Sequence, residues 1–522
     1  MNDISISTKV VRNTIFNALG RGWGILVALF LTPYIIGHIG VDKFGIWAIV
    51  GVLTGYFGLL DFGIGTSFVK YISEFYARKD YAKINQLVNT GFTFYGILAI
   101  VIIGLGFLLI DPILHLFNIQ AGLYSEARFV FLMGIMIFGV SNSLSPLTAI
   151  QTGLQRMDVS NKVNIAISFP QIAGIVFFLE SGYGLSGLII NNAIIMVISS
   201  AINIIIAFRI LPELRFTPSL STGEMFKRLF KFGYNLQLAK IFSIITLTID
   251  KLLITYFLSI GLVTFYQLGS SIVERTKGIL LLPVPALFPA FSEIDAKGER
   301  EKLIEAYSRI TKYLSLIAIP IYTFVIVSAP QLMLVWMGPG YEKSARIIQI
   351  LSIGHLLAIL GAGVGNAVLQ GIARPDIEMK AGILNVVVNL PLSIFCILKF
   401  GFIGAAFSTM FSWSITATFF FIRLHQILKI PIITFIKATF MKTILLCLFI
   451  GIITLKLTTI SQSFLLDFNR TISLIILIIQ LSLFITLYLI GLYFTKPLAK
   501  IDIDILQTRL PFMKWLIKFL NY

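Results

Sequence analysis

Charged residues, cysteine and histidine are all scarce in this sequence. Asp, Glu, Lys and Arg make up 12% of its 522 residues, whereas a soluble globular chain is about 25% charged. So little charge cannot cover a water-soluble body of this size, and a soluble globular protein is therefore excluded. The two cysteines, Cys396 and Cys447, lie in apolar runs and form neither a disulfide pattern nor a metal-binding pattern.

Motifs for catalysis and nucleotide binding are missing as well. The sequence contains no H-E-x-x-H, Walker-type, G-x-S-x-G or paired-carboxylate motif, and its four histidines are scattered. The largest predicted non-cytoplasmic loops, near 111–125 and 461–470, are too short to hold a sugar donor and an acceptor together. A membrane glycosyltransferase, polymerase or ligase is therefore disfavoured, and we expect no enzyme activity, cofactor or metal. ATP-driven transport is unsupported because no nucleotide-binding domain is present.

Long apolar runs dominate the rest of the sequence. Hydrophobic residues make up 57% of it, and its mean hydropathy is +0.92. The runs are continuous and exceed about 18 residues, enough for a helix to cross about 30 Å of hydrocarbon, whereas barrel strands would alternate. The sequence predicts an all-α, polytopic membrane protein with about 14 transmembrane helices. These spans are predicted near 11–36, 44–68, 90–110, 126–150, 163–180, 185–208, 233–258, 262–291, 312–336, 343–371, 379–398, 402–424, 442–460 and 471–494.

Basic residues alternate between the connections of these spans. Of the 41 Lys and Arg, 29 fall in segments predicted to lie on one side, which include both ends of the chain. Because positive charge marks the cytoplasmic side, the sequence predicts that both termini are cytoplasmic. The same segments account for the net charge of +17, so no nucleic-acid partner is inferred.

Three short segments carry local predictions. The polar segments 70–89 and 293–312 each follow an even-numbered span and are predicted to be helices that lie at the headgroups. The run LLPVPALFPAF at 281–291 contains three prolines, which predict a bend or break in span 8.

An internal repeat relates the two halves of the sequence. GLQRMDVSNK at 153–162 aligns with GIARPDIEMK at 371–380, and YGLSG at 183–187 aligns with FGFIG at 400–404 at nearly the same offset. Spans 1–6 and 7–12 are therefore interpreted as two pseudo-symmetric six-helix bundles in a parallel repeat. The predicted domains are a first bundle at 1–210, a second bundle at 211–425, and two additional spans with a cytoplasmic tail at 426–522.

Ionisable residues inside the predicted spans are the candidate functional groups, because charge within a bilayer is costly and usually faces a cavity or a partner. The candidate substrate-binding cations are Arg21, Lys240, Lys251, Arg275 and Lys277. Arg21 and Lys240 are near-equivalent in the repeat, since each lies in the first helix of its bundle. Two bundles whose cations face a shared cavity would attract an anionic group such as a pyrophosphate.

Three acidic residues, Asp61, Asp250 and Glu274, are the candidate charge partners or coupling groups. An alternative is that Glu274 and Asp250 neutralise the cations and lock helices together, while Lys251 and Lys277 extend to a membrane edge. Asp61 is followed by FGIG, which also allows a role as a helix cap or loop residue.

The segments HIGVDKFGIWAIV at 38–50, LLDFGIGTSFVKYISE at 59–74 and GLQRMD at 153–158 resemble polysaccharide-export flippases of the Wzx type. This resemblance, to the fourteen-span branch of the multidrug/oligosaccharidyl-lipid/polysaccharide exporter superfamily, covers the whole chain. It implies a cationic cavity between two bundles, alternating access and a place in the bacterial plasma membrane. The implied cargo is a polyprenyl-pyrophosphate-linked oligosaccharide repeat unit, moved to the outer leaflet for O-antigen, capsule or exopolysaccharide synthesis.

The resemblance makes Arg21, Lys240 and Arg275 candidates for the headgroup site. It implies lipid-linked oligosaccharide and membrane lipid as partners, with a polysaccharide polymerase and a chain-length regulator as further candidates. Two related functions stay open, a lipid II flippase with the same cationic cavity and a cation-coupled multidrug antiporter. Antiporters of this superfamily typically carry an acid in the first or seventh span. Span 1 here has Arg21 and no acid, whereas Asp250 in span 7 keeps that alternative open.

Overall fold

The computed structural model of this chain describes residues 6–464 and 469–496. Within those ranges, the side chains of residues 6–19, 21, 235, 236, 238–240, 243 and 460–464 lie outside the description. The chain divides into two compact units, assigned to Met1–Thr264 and Phe265–Tyr522. This division does not test the domain boundaries predicted from the repeat, which stay a prediction.

Every regular element of the described residues is helical, which confirms the predicted all-α class. Unit 1 contains α1 Ile6–Phe57, α2 Ile64–Ala77, α3 Tyr81–Leu116, α4 Ala121–Ser143, α5 Ser145–Gly153, α6 Met157–Glu180, α7 Gly184–Ile210 and α8 Gly223–Phe257. The next helix, α9 Ile260–Leu280, begins in unit 1 and continues into unit 2. Unit 2 then contains α10 Leu287–Ala296, α11 Arg300–Met337, α12 Glu342–Gly371, α13 Asp376–Phe400, α14 Phe402–Leu428, α15 Ile432–Ile436, α16 Lys442–Phe464 and α17 Arg470–Thr495.

Twelve segments of the described chain are long and apolar enough to cross a membrane. The first, Gly22–Asp61, has 40 residues, which is about twice the length that one crossing needs. Gly40 breaks it with a φ of +79°, so this segment holds two helices. Helix α8 has 35 residues and is long enough to add a further crossing. The twelve segments, the second helix within the first of them and α8 together give 14 crossings, which agrees with the prediction of about 14 spans.

The two halves repeat the same local geometry at the positions that the sequence repeat aligns. Arg156 lies 3.3 Å from Asp158 at the start of α6, and Arg374 lies 2.8 Å from Asp376 at the start of α13. The residue before each arginine has a left-handed backbone, with φ values of +56° and +55°. In both halves the aligned motif therefore forms the same turn between two helices, closed by an ion pair.

The repeated glycines mark equivalent close approaches between helices. A β-carbon on Gly153 would lie 2.9 Å from the Ile72 side chain, where α5 crosses α2. The aligned Gly371 would meet the Phe291 side chain at 2.8 Å, where α12 crosses α10. The sequence repeat therefore includes glycines at helix crossings, where no side chain larger than a hydrogen atom fits.

The segments 70–89 and 293–312 differ from the predicted surface helices. Each is helical, but each is interrupted, at Lys79 with a φ of +56° and at Gly298 with a φ of +70°. The first part of each segment ends α2 or α10, and the second part begins the long helix α3 or α11. Each predicted single helix is therefore two parts that meet at a corner, and its location at the headgroups stays a prediction.

In unit 1, connections that were predicted to share a side of the membrane lie together. Lys43, after the first half of α1, lies 2.7 Å from Glu126 at the start of α4. Among the segments predicted for the other side, Arg228 lies 3.4 Å from Glu74, and Asn85 donates to the Glu213 carbonyl at 2.9 Å. Alternate connections therefore collect at alternate ends of this unit.

A substitution at Gly404 tests these crossings. A β-carbon there would overlap the backbone carbonyl of Cys396, so α13 and α14 would have to separate. We expect Gly404→Ala to lower the free energy of unfolding by about 1–3 kcal/mol. Gly104→Ala on α3 is the matched control, because its β-carbon would meet nothing within 4 Å and alanine favours the helix. Thermal unfolding in detergent measures both variants, and equal melting temperatures would contradict the crossing.

Candidate functional site

The second membrane helix of each predicted bundle is broken before it ends. In unit 1, a 3₁₀ turn at Gly58–Asp61 separates α1 from α2, and Phe62 and Gly63 have φ values of +51° and +74°. In unit 2, a 3₁₀ turn at Val284–Ala286 separates α9 from α10, which confirms the break predicted from the three prolines. Broken membrane helices often form binding or moving elements of transporters.

Asp61 lies in the first of these breaks and is 8% exposed. Its carboxylate accepts the backbone N–H of Gly65 at 3.1 Å, in the first turn of α2. It also accepts the Tyr95 hydroxyl from α3. A negative group at a helix N-terminus satisfies otherwise unpaired N–H groups and matches the helix dipole, so Asp61 holds the start of α2 against α3.

Helix α8 packs directly against the same break. Gly63 and Gly233 approach so closely that a β-carbon on either one would overlap the backbone of the other. Gln237 donates to the Leu59 carbonyl, and Ser67 donates to the Leu229 carbonyl at 2.9 Å. These bonds fix α8 along the break in unit 1.

Lys240 follows Gln237 on α8 by about one helical turn. The structure therefore places its helix position beside the unit 1 break, while its side chain lies outside the described part of the chain. Two buried ionisable residues follow on the same helix, Asp250 at 2% exposure and Lys251 at 7%. Both take part in interactions within the described structure.

Arg21 lies on α1, again with its helix described and its side chain outside the description. The neighbouring positions show how α1 packs there. Gly20 approaches the Asn161 side chain, and the Trp23 indole N–H donates to the Ser168 hydroxyl at 2.7 Å, both on α6. The helix that carries Arg21 is thus held against α6 by its neighbours in sequence.

Helix α9 carries the described cation cluster of unit 2. Lys277 lies in its last turn, with the ammonium nitrogen 4.1 Å from the centroid of the Trp413 ring. Glu274 interacts electrostatically with both Lys277 and Arg275. The carbonyl end of a helix and the face of an indole both stabilise a cation, and Lys277 lies against both just before the α9–α10 break.

His355 completes this cluster. It is 4% exposed, its ring centroid is 5.4 Å from that of Trp413, and it interacts electrostatically with Lys277. Its Nδ1 atom is 3.0 Å from the Leu351 carbonyl, whereas its Nε2 atom has no hydrogen-bond partner among the described residues. The cluster therefore combines a cation, an aromatic face and one unpaired ring nitrogen.

The structure thus brings together some of the predicted residues but not others. Glu274, Arg275 and Lys277 form one group in unit 2, whereas Asp61 lies at the unit 1 break. A common role for the cations in one cavity stays a prediction. Trp413 and His355 were not predicted, because each lies far from Lys277 in sequence and neither belongs to a motif.

The role of Asp61 can be tested through its two hydrogen bonds. Asp61→Ala would leave the Gly65 N–H and the buried Tyr95 hydroxyl without their acceptor, so we expect a loss of about 1–3 kcal/mol in stability. Asp61→Asn keeps an acceptor oxygen and should retain most of the stability of the unmodified protein. Thermal unfolding and transport are measured together for both variants. A fully stable Asp61→Ala would contradict the cap, and a stable but inactive Asp61→Asn would assign a coupling role.

A family profile described as "Polysaccharide biosynthesis protein" matches residues 10–295 of the chain, which is more than half of its length. The chain belongs to this polysaccharide biosynthesis family. The matched region includes α1 to α9 and both helix breaks. The family resemblance drawn from the sequence motifs is confirmed by this match.

Individual relatives agree with the family. The chain is 23% identical over 415 residues to the "Putative O-antigen transporter" of Shigella flexneri, covering 78% of this chain and 94% of the relative. Its fold is similar to that of lipid II flippase MurJ in an inward closed conformation, with a TM-score of 0.68, 16% identity and coverage of 92% and 98%. It is also similar to an inward-facing multidrug resistance MATE family transporter of the MOP superfamily, with a TM-score of 0.64, 15% identity and coverage of 80% and 94%. At these identities the two structures show the fold alone, which is that of a multi-pass membrane protein.

Proposed function

We propose that this protein is a flippase for polyprenyl-pyrophosphate-linked oligosaccharide repeat units. The observation that carries the proposal is the Lys277 cluster, a cation held over Trp413 inside a membrane helix of a polysaccharide biosynthesis family member. A charged group in a bilayer normally serves a cavity, a partner or a cargo. A pyrophosphate linked to a lipid is an anion that such a cation can recognise at that depth.

The mechanism follows from the chemistry of the cargo. A sugar headgroup and its diphosphate cannot cross hydrocarbon without a polar path, whereas the polyprenyl tail remains in lipid. The protein presents its cations to the headgroup on the cytoplasmic side, changes conformation by alternating access, and releases the headgroup at the outer leaflet. The breaks after α1 and α9 allow each second helix to bend during that change.

The proposal also includes the membrane in which the protein acts and the use of its cargo. The protein acts as a transporter without enzymatic activity or a cofactor, in a bacterial plasma membrane with both termini cytoplasmic. Its cargo serves O-antigen, capsule or exopolysaccharide synthesis. A polysaccharide polymerase and a chain-length regulator would receive the product, because a flipped repeat unit must be consumed to keep the carrier cycling.

Reconstitution tests the proposal. Purified protein is placed in liposomes with a fluorescent lipid-linked oligosaccharide, and a membrane-impermeant glycosidase reports how much cargo reaches the outer leaflet. We expect the accessible fraction to rise from about half to nearly all with protein present. Empty liposomes and liposomes with Gly404→Ala protein that has been thermally unfolded are the controls. An unchanged protected fraction with folded protein would contradict the proposal.

A second candidate rests on Asp250, which is a buried acid on α8, the seventh predicted span. It keeps open a cation-coupled multidrug antiporter of the same superfamily, and a lipid II flippase is the nearer alternative on the same fold. The same liposomes loaded with lipid II or with a cationic dye distinguish these functions. Movement of the dye but not of the lipid-linked cargo would favour the antiporter, and movement of lipid II alone would favour the lipid II flippase.

A further inference from the structure

Unit 1 contains a cavity whose described lining includes none of the candidate cations. It has a volume of about 370 Å³, within the range of about 300–1,000 Å³ typical of ligand pockets. Its walls come from the second half of α1, from α4 and from α7. The lining residues are Trp47, Val50, Gly51, Thr54, Gly134, Ile137, Phe138, Ser141, Ile189 and Asn192.

The lining positions follow helical periodicity. The α1 residues are spaced i, i+3, i+4 and i+7, and so are the four residues from α4. This spacing places each set on one helix face, so the cavity is a built feature of three packed helices. Gly51 keeps it open, since a β-carbon there would meet nothing within 4 Å.

The polar groups of the lining are available for a ligand. The indole N–H of Trp47, the hydroxyl of Ser141 and the amide of Asn192 have no hydrogen-bond partner among the described residues. The Thr54 hydroxyl, by contrast, is used within α1, where it lies 3.0 Å from the Val50 carbonyl. Three side chains therefore offer donors and acceptors toward one cavity that is otherwise apolar.

The chemistry of the lining selects one class of occupant. None of the lining residues that the structure describes is charged, so this lining does not match a phosphate or a carboxylate. A lipid chain would leave the polar groups of Trp47, Ser141 and Asn192 unpaired, which is unfavourable. A neutral sugar ring carries hydroxyl groups for these partners and an apolar C–H face that packs on the face of an indole.

We propose that this cavity is a subsite for a neutral sugar ring of the cargo. The inference rests on the proposed function for the source of the sugar, a lipid-linked oligosaccharide. Trp47 forms the platform for the ring, while Ser141 and Asn192 bond its hydroxyl groups. Recognition of the cargo is thereby divided between cations for the diphosphate and a neutral aromatic cavity for the sugar.

A cavity-filling variant tests the subsite with little risk to folding. Gly51→Leu places a side chain in the cavity without a backbone clash, and it also favours the helix. Gly55→Leu is the matched control, because Gly55 lies one turn further on α1, meets nothing within 4 Å, and does not line the cavity. In the liposome assay we expect Gly51→Leu to slow flipping at least about tenfold, and Gly55→Leu to match the unmodified protein.

A direct binding measurement separates the subsite from transport. Saturation-transfer NMR is recorded with purified protein and the oligosaccharide released from its carrier by mild acid. We expect Gly51→Leu to abolish the signal, and Trp47→Phe or Asn192→Ala to weaken binding about three- to tenfold. Trp23→Phe, in the half of α1 before Gly40, is the control, because the Trp23 indole already donates to Ser168.

The outcomes distinguish the two proposals. If the unmodified protein flips lipid-linked oligosaccharide and Gly51→Leu behaves like Gly55→Leu in both assays, the subsite is overturned and the flippase function stands. If the unmodified protein does not flip this cargo, the proposed function fails, and NMR binding lost in Gly51→Leu would still support a sugar site. Quenching of Trp47 fluorescence by brominated phospholipid, absent in Trp47→Phe, would overturn the subsite in favour of a lipid chain.

Discussion

Replacing Lys277 with methionine is expected to slow flipping of a lipid-linked oligosaccharide by about 10- to 100-fold, the effect of losing one charge-assisted bond to phosphate. Lys277 lies over the Trp413 ring in the last turn of α9, so packing fixes the position of its ammonium group. Methionine keeps similar length and apolar contact without the charge. The liposome assay measures the change.

The same variant separates cargo binding from a structural role. If Lys277 serves mainly to neutralise Glu274, its loss leaves a partly buried carboxylate without that cation, and the melting temperature should fall steeply. If it serves the cargo, the protein should remain folded while transport is lost. Lys399→Met is the matched control, because Lys399 also lies near aromatic rings, 5.7 Å from Phe395, but at the end of α13. A stable and fully active Lys277→Met protein would contradict the headgroup assignment.

The double variant Arg21→Ala with Lys240→Ala should abolish export, by at least about 100-fold, while the protein remains inserted in the membrane. Each residue lies in the first helix of its predicted bundle, and the α8 position of Lys240 is beside the unit 1 break. Two phosphate contacts would be removed together. Surface glycan in a strain that depends on this gene, and the liposome assay, both report the loss.

Conservative and distant substitutions make this result specific. Arg21→Lys with Lys240→Arg keeps both charges and should retain part of the activity, since a point charge and a planar fork both bind phosphate. Lys227→Ala removes an exposed cation from the same helix α8 and should leave export unchanged. Normal surface glycan in the double alanine variant would exclude both residues from the headgroup site.

The fold class and the repeat could be predicted from the sequence because they depend on features that are local or periodic. Apolar length fixes the number of crossings, and aligned pairs such as Arg156 and Asp158 form the same turn in both halves. Pro283, Pro285 and Pro289 predicted the break between α9 and α10. The break at Gly58–Asp61 has no proline, and it depends on contacts with Gly233 and Gln237, which lie more than about 170 residues away.

The candidate site was harder to predict because it too depends on contacts between residues that are distant in sequence. An intramembrane lysine is visible in the sequence, since its cost in a bilayer is large. Trp413 lies against Lys277, and His355 packs on Trp413. Both are on other helices, and no spacing rule links either of them to Lys277. The unit 1 cavity did leave a signal, an i, i+3, i+4, i+7 series that contains Trp47 and Thr54, but such a series is also typical of ordinary packing.

The dependence of flipping on the charge of the cargo tests the central claim most directly. Liposomes are prepared with the same oligosaccharide on a polyprenyl carrier through either a diphosphate or a monophosphate, and the initial rates are compared for the unmodified protein and for Lys277→Met. We predict that the unmodified protein prefers the diphosphate cargo and that Lys277→Met loses most of that preference. Equal rates for the two cargoes with the unmodified protein, or an undiminished preference in Lys277→Met, would contradict recognition of the pyrophosphate by this cation.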